Sequence, residues 1–168
     1  IERFGKYQKV ANSGIHIRLP FGIDSIAARI QLRLLQSDIV VETKTKDNVF
    51  VMMNVATQYR VNEQSVTDAY YKLMRPESQI KSYIEDALRS SVPKLTLDEL
   101  FEKKDEIALE VQHQVAEEMT TYGYIIVKTL ITKVEPDAEV KQSMNEINAA
   151  QRKRVAAQEL AEADKIKI

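Results

Sequence analysis

The strongest constraint on this chain is a run of strict alternation near its middle. Val49, Val51, Met53, Val55, Thr57, Tyr59 and Val61 hold every second position. Side chains alternate across a strand, so a period of two places all seven on one face, which must then be covered. A helix would scatter them around its axis. Lys46-Asp47-Asn48, just upstream, reads as a hairpin turn. The preceding β segment opens at Ile30 with Ile30, Leu32 and Leu34 on one phase, then Leu35, Ile39 and Val41 on the other. A one-residue slip reverses the faces, which predicts a bulge or bend near Leu34–Leu35.

Turns and caps divide the remainder. Three of the four glycines (Gly5, Gly14 and Gly22) fall in the first 22 residues, so the N-terminal stretch is turn-rich. Glu2-Arg3-Phe4 reads as a short strand before a turn at Gly5, and Asn12-Ser13-Gly14 as a second turn. Ile15-His16-Ile17-Arg18-Leu19 alternates and is expected to be a strand, broken by Pro20-Phe21-Gly22-Ile23-Asp24. Asn62 caps a short helix with the stripe Val66, Ala69, Tyr70 and Leu73. Pro76 suits the first turn of a second helix, striped by Ile80, Ile84, Ala87, Leu88 and Ser91 and ended by Pro93. Thr96-Leu97-Asp98-Glu99 is a capping-box pattern. It starts one helix that carries Leu97, Leu100, Phe101, Ile107, Ala108, Val111, Val115 and Met119 to a C-cap at Gly123. Tyr124, Ile126, Leu130 and Val134 read as a last strand, interrupted by Lys128 and Thr132 and stopped at Pro136-Asp137.

From Asp137 to Ile168 there is neither Gly nor Pro. As one helix this run spans roughly 48 Å. Val140, Met144 and Ile147 keep a 4-3 spacing, but Gln151 and Gln158 then break the heptad. Met144, Val155 and Ile166 recur every 11 residues, a period that favours a nearly straight or right-handed bundle. With Leu160 these residues, Val140, Met144, Ile147, Val155 and Ile166, are the expected oligomerisation surface, since an isolated charged helix needs a partner for its apolar stripe.

Chemistry is excluded more readily than assigned. The chain has no Cys, which removes disulfides and thiolate chemistry, and its two His, His16 and His113, do not make a multi-His metal site. Lys+Arg 24 against Asp+Glu 25 leaves a net charge of -1 and no global basic field for nucleic acid. Gly-x-Ser-x-Gly, a Gly-rich phosphate loop and His-Glu-x-x-His are all missing. Asp98, Glu99 and Glu102 are explained by a helix first turn. The reading is therefore no catalytic, cofactor or metal residues, and no enzyme. No 18-residue apolar run exists, so no membrane span or signal peptide is expected within these residues. The chain opens at Ile1 and stops at Ile168 inside a helical pattern, so it reads as a piece of a longer protein. Arg152-Lys153-Arg154 reads as a solvated face balanced by Glu159, Glu162 and Asp164. The one apolar patch placed in a turn is Leu19-Pro20-Phe21-Gly22-Ile23. Leu19, Phe21 and Ile23 are candidate membrane contacts, because an apolar loop tip can seat among headgroups.

The assembled motifs resemble a known family. Glu2-Arg3-Phe4-Gly5-Lys6-Tyr7, the Gly14 turn, Leu19-Pro20-Phe21, Thr45-Lys46-Asp47-Asn48-Val49, Tyr59-Arg60-Val61 and Leu97-Asp98-Glu99 follow in order. Together they look like the band-7 (SPFH) domain of the stomatin/prohibitin/flotillin superfamily, over essentially the whole chain. Glu42–Phe50, Ser91–Glu99 and Met144–Arg152 resemble the hypersensitive-induced-reaction branch. Ser13-Gly14 stands where stomatins commonly carry Pro-Gly. The resemblance implies an α/β (α+β) fold: a curved, mostly antiparallel sheet with helices packed on it, followed by a long C-terminal helix. It divides the chain into a band-7 domain at 1–136 and the start of an extended Ala- and charge-rich helix, a possible coiled coil, at 137–168. It also implies a non-enzymatic membrane-associated scaffold that forms homo-oligomers and organises membrane microdomains or membrane protein complexes. The alternative is an adaptor or regulator of a client such as a membrane-bound protease or channel, with oligomerisation incidental. Contact with membrane lipid would come through an N-terminal anchor outside this sequence, aided by the 19–23 loop, on the cytoplasmic side.

Overall fold

The computed structural model describes residues 1–166, with side chains through Glu162. Its main sheet is the expected one. β4 (Leu35–Lys44) and β5 (Phe50–Val61) form a hairpin, and β6 (Tyr124–Pro136) pairs along the other side of β5, all antiparallel. Ile39 faces Val55 and Val41 faces Met53, so the alternating sets of both strands share one face. Thr45 and Val49 close the turn with an N–H···O bond of 2.9 Å, and Asn48 takes the left-handed conformation there (φ 65°). Register shifts opposite Asn54/Val55 and Gln58/Tyr59 leave Thr132 and Val127 as extra residues on β6. Such bulges bend a strand and shift its phase. Leu130, expected inside, therefore lies on the outer face, and Ile131 is buried.

A smaller antiparallel sheet lies at the N-terminal end: β1 (Glu2–Arg3), β2 (Lys6–Tyr7) and β3 (Asp24–Ser25), in the order β2-β1-β3. Two expected strands are not formed. Ile15–Leu19 has no sheet partner, and Ile30–Leu34 runs outside the sheet with a bend at Arg33. The phase slip at Leu34–Leu35 is thus the point where β4 begins, not a bulge within it.

Helices cover one face of the main sheet. Asn62 caps a 3₁₀ turn at Glu63–Ser65 by accepting from the Gln64 N–H (3.1 Å), and α1 (Val66–Tyr71) follows. α2 (Pro76–Ser91) starts on its proline and buries Ile80, Ile84, Ala87 and Leu88. The single helix expected after Thr96 is two: α3 (Leu97–Glu102) and α4 (Lys104–Thr121), parted at Lys103 (φ -101°, ψ 11°). No apolar anchor spans the break, and Asp105 and Glu106 gain the first turn of α4, where negative charge suits the exposed N–H groups. Leu100, Val111, Val115 and Met119 join Ile80, Ile84 and Leu88 over Val41, Met53, Val55 and Tyr59 in one core. Tyr70, expected on the α1 stripe, is not buried and keeps 41% of its surface exposed.

Two joints hold this layer in place. The Thr96–Glu99 capping box is complete: the Glu99 N–H reaches the Thr96 hydroxyl (3.3 Å) and the Thr96 N–H reaches the Glu99 carboxylate (2.9 Å). Asp47 in the β4–β5 turn also accepts from the Leu97 N–H (3.2 Å), which ties the hairpin to the start of α3. At the other joint Gly123 adopts φ 80°, and a Cβ there would lie 2.5 Å from the Ser65 carbonyl oxygen. Only glycine lets the α4–β6 turn come this close to the 3₁₀ turn before α1.

α5 (Ala138–Ile166) leaves the domain from the end of β6. Val140 and Met144 pack against the core. From Asn145 to Glu162 every residue is exposed, and the total accessible surface is 12151 Å², well above the roughly 8,400 Å² of a compact protein of this mass.

Candidate membrane-contact tip and assembly stripe

Two turns of the N-terminal sheet meet at one tip. Asp24 is the buried fastener. Its carboxylate accepts from Arg3 Nε (2.8 Å) and from the Leu19 N–H (3.1 Å), closing the 19–24 loop on itself and onto β1. The Arg3 hydrogen bond, then that of Leu19, holds the Asp24 carboxyl below the usual carboxylate range. The Phe4 N–H donates to the Ile23 carbonyl (3.2 Å), so the β1–β2 turn and the loop are stitched side by side.

Each turn has the same build: phenylalanine followed by glycine, both left-handed. Phe4 and Gly5 have φ 49° and 75°; Phe21 and Gly22 have φ 62° and 74°. A bulky L-residue in this region costs about 1–2 kcal/mol. The cost is not offset by burial within the chain, because Phe21 is 98% exposed and Phe4 81%. Ile15 and Ile17 are 99% and 90% exposed in the adjoining segment. Of the three expected membrane contacts, Phe21 is fully presented, Leu19 is exposed, and Ile23 is half-buried with its carbonyl engaged by Phe4. Phe4 escaped the sequence reading, which placed it in a strand. The signal was available: the Phe-Gly dipeptide occurs at 4–5 and again at 21–22.

The expected assembly residues do not form one stripe. Val140 and Met144 are partly buried on the chain's own core, while Ile147, Val155 and Leu160 are exposed. At about 100° per residue, Val155 lies about 20° around the helix from Met144, but Leu160 lies about 140° from Val155. Leu160 therefore sits on a different face. The side chain of Ile166 lies outside the described residues.

Neither histidine is part of a catalytic grouping in the sequence reading, and the structure places both at the surface, with His16 Nε2 2.6 Å from the Asn12 carbonyl oxygen. Among the described residues, no group of three or more His, Asp or Glu is placed to hold a metal ion. Among the same residues, no helix is long and apolar enough to cross a membrane.

Residues 1–165 match the SPFH domain / Band 7 family. The chain is 42% identical over 166 residues to hypersensitive-induced response protein 4 of Arabidopsis thaliana, covering 99% of this chain and 57% of that protein. It is 29% identical over 173 residues to a stomatin homolog of Pyrococcus abyssi, covering 98% of this chain and 60% of that protein. An uncharacterized protein of Methanothermobacter thermautotrophicus is 27% identical over 94% of this chain and 48% of its own length. The chain thus spans about half to three-fifths of the length of these three relatives. On the family match across nearly its whole length, the chain belongs to the SPFH domain / Band 7 family.

Proposed function

We propose that this chain is the non-enzymatic unit of a membrane-associated scaffold, with the Phe4–Phe21 tip as its lipid contact and α5 as a contact between copies. In this reading residues 1–136 form the domain, and 137–168 begin the extended helix that carries assembly. Membership of the family and likeness to stomatin and hypersensitive-response relatives support the general role. The observation that carries it is the tip: two phenylalanines held in water by left-handed backbone and by an ion pair between the exposed Arg3 and the buried Asp24. Burying a phenylalanine is worth about 1.5–3 kcal/mol. Two of them supply a real but modest affinity, suited to a peripheral contact that cooperates with other copies or with a further anchor.

Assembly is tested by light scattering over a wide concentration range. The parent chain is expected to gain mass with concentration, and Ile147→Glu combined with Val155→Glu to stay monomeric with unchanged circular dichroism. Equal association of the two removes α5 from the account.

A further inference from the structure

Beside the tip lies a groove of about 1030 Å³ that the scaffold reading does not use. Its walls are the extended segments 9–18 and 26–32, and its third side is the start of α1. The volume sits at the upper end of small-molecule sites and far exceeds what a single inorganic ion needs.

The lining has two characters. Val10, Ile26 and Leu32 line it while remaining about half exposed, unlike the sheet core, where apolar side chains are covered. Tyr7, Tyr70 and Tyr71 also line it and brace one another edge to face: the Tyr7–Tyr71 centroids are 6.1 Å apart and the Tyr70–Tyr71 centroids 4.8 Å. The Tyr70 hydroxyl donates to the Ala27 carbonyl (3.3 Å) and the Tyr71 hydroxyl to Glu2, so the ring cluster is fixed to both sheet and wall. Lys9, Arg18 and Arg29 supply positive charge against the single carboxylate of Glu63. None of the three cations is ion-paired among the described residues. A groove that mixes half-exposed apolar side chains with unpaired cations complements a molecule with a hydrocarbon part and an anionic head.

We propose that this groove binds one anionic phospholipid, its acyl chain along Val10, Ile26 and Leu32 and its phosphate among Lys9, Arg18 and Arg29. Arg18 directly precedes Leu19 of the 19–24 loop, and Tyr7 is paired with Glu2 in the hairpin whose turn is Phe4–Gly5. The groove's lining therefore adjoins the tip. That placement rests on the membrane reading above; the groove's own shape and charge do not.

The test uses the whole chain and a lipid that needs no membrane: dihexanoyl phosphatidic acid below its micelle concentration, titrated calorimetrically. Tyrosine emission provides a second signal, since the chain has no Trp. Saturable one-to-one binding is expected. Arg18→Glu with Arg29→Glu should weaken it at least tenfold with unchanged circular dichroism, while Phe21→Asp leaves it within twofold. Dihexanoyl phosphatidylcholine should bind at least tenfold less tightly, and inorganic phosphate should not displace the lipid at equal concentration. Absent or non-saturable binding, equal binding of phosphatidylcholine, displacement by phosphate, or full binding by the double arginine variant would each overturn the proposal. Loss of vesicle binding by a tip variant that still takes up the soluble lipid would leave the groove standing, and a parent chain that binds vesicles without taking up the soluble lipid would leave only the tip.

Discussion

The main sheet and the N-terminal tip begin from similar sequence and end differently. Val51, Met53 and Val55 alternate with less apolar or outward-facing neighbours and are buried. Ile15, Ile17 and Leu19 alternate as cleanly, yet two of them are almost wholly exposed. The difference is what stands opposite. β5 has a strand on each side and two helices over its inner face, so each apolar side chain has a surface to meet. The 15–19 segment has no strand partner and no covering helix. Alternation states that a face needs cover; it does not supply the cover. Where the chain provides none, the apolar side chains are available to something else.

That contrast can be broken most forcefully in the core. Leu88→Ala removes a side chain with 0% exposure, and should cost about 2–5 kcal/mol in urea denaturation. Ile15→Ala and Ile17→Ala should stay within about 0.5 kcal/mol of the parent. Gly123→Ala comes next. It forces a Cβ to 2.5 Å from the Ser65 carbonyl at φ 80°, which should cost about 2 kcal/mol or more through left-handed strain and collision. Thr96→Ala opens the capping box for about 1 kcal/mol.

Acid sharpens the comparison further. The Thr45 hydroxyl lowers the Asp47 carboxyl, with help from the Leu97 N–H, and the Thr96 N–H followed by its hydroxyl lowers that of Glu99. In the tip, Arg3 and the Leu19 N–H do the same for Asp24. A depressed folded pKa means that the unfolded chain binds more protons as pH falls. The stability is fully present above the unfolded values near 4, and is lost as pH falls through the folded ones. The expected outcome is a fall in melting temperature below about pH 4 that Asp47→Asn makes shallower. Asp24→Asn should instead speed amide exchange in residues 19–24 and leave the global transition nearly unmoved, because no core residue depends on that loop.

Much of this fold was legible because its signals are local and agree. The 49–61 alternation, the Lys46–Asn48 turn, Pro76 at a helix start and the Thr96–Glu99 box each produced the element they announce. The errors came where a decision depended on distant structure. Whether Ile15–Leu19 or Ile30–Leu34 pairs as a strand is set by which edges are free, which periodicity does not encode. The bulges of β6 moved Ile131 inside in place of Leu130, since an inserted residue shifts phase without changing composition. At the candidate site, Leu19 and Phe21 were legible as apolar residues in a turn. Phe4 was legible only as half of the repeated Phe-Gly dipeptide, because its exposure follows from the left-handed turn and from the backbone bond to Ile23.

The central claim is that the tip phenylalanines serve lipid and not the fold. Its most direct test is flotation of the chain with anionic vesicles, comparing the parent with Phe4→Asp combined with Phe21→Asp. Aspartate tolerates the left-handed region better than phenylalanine, so the double variant should melt at or slightly above the parent temperature. It should float at least tenfold less. Equal flotation, or a parent chain that does not float at saturating lipid, would contradict the account.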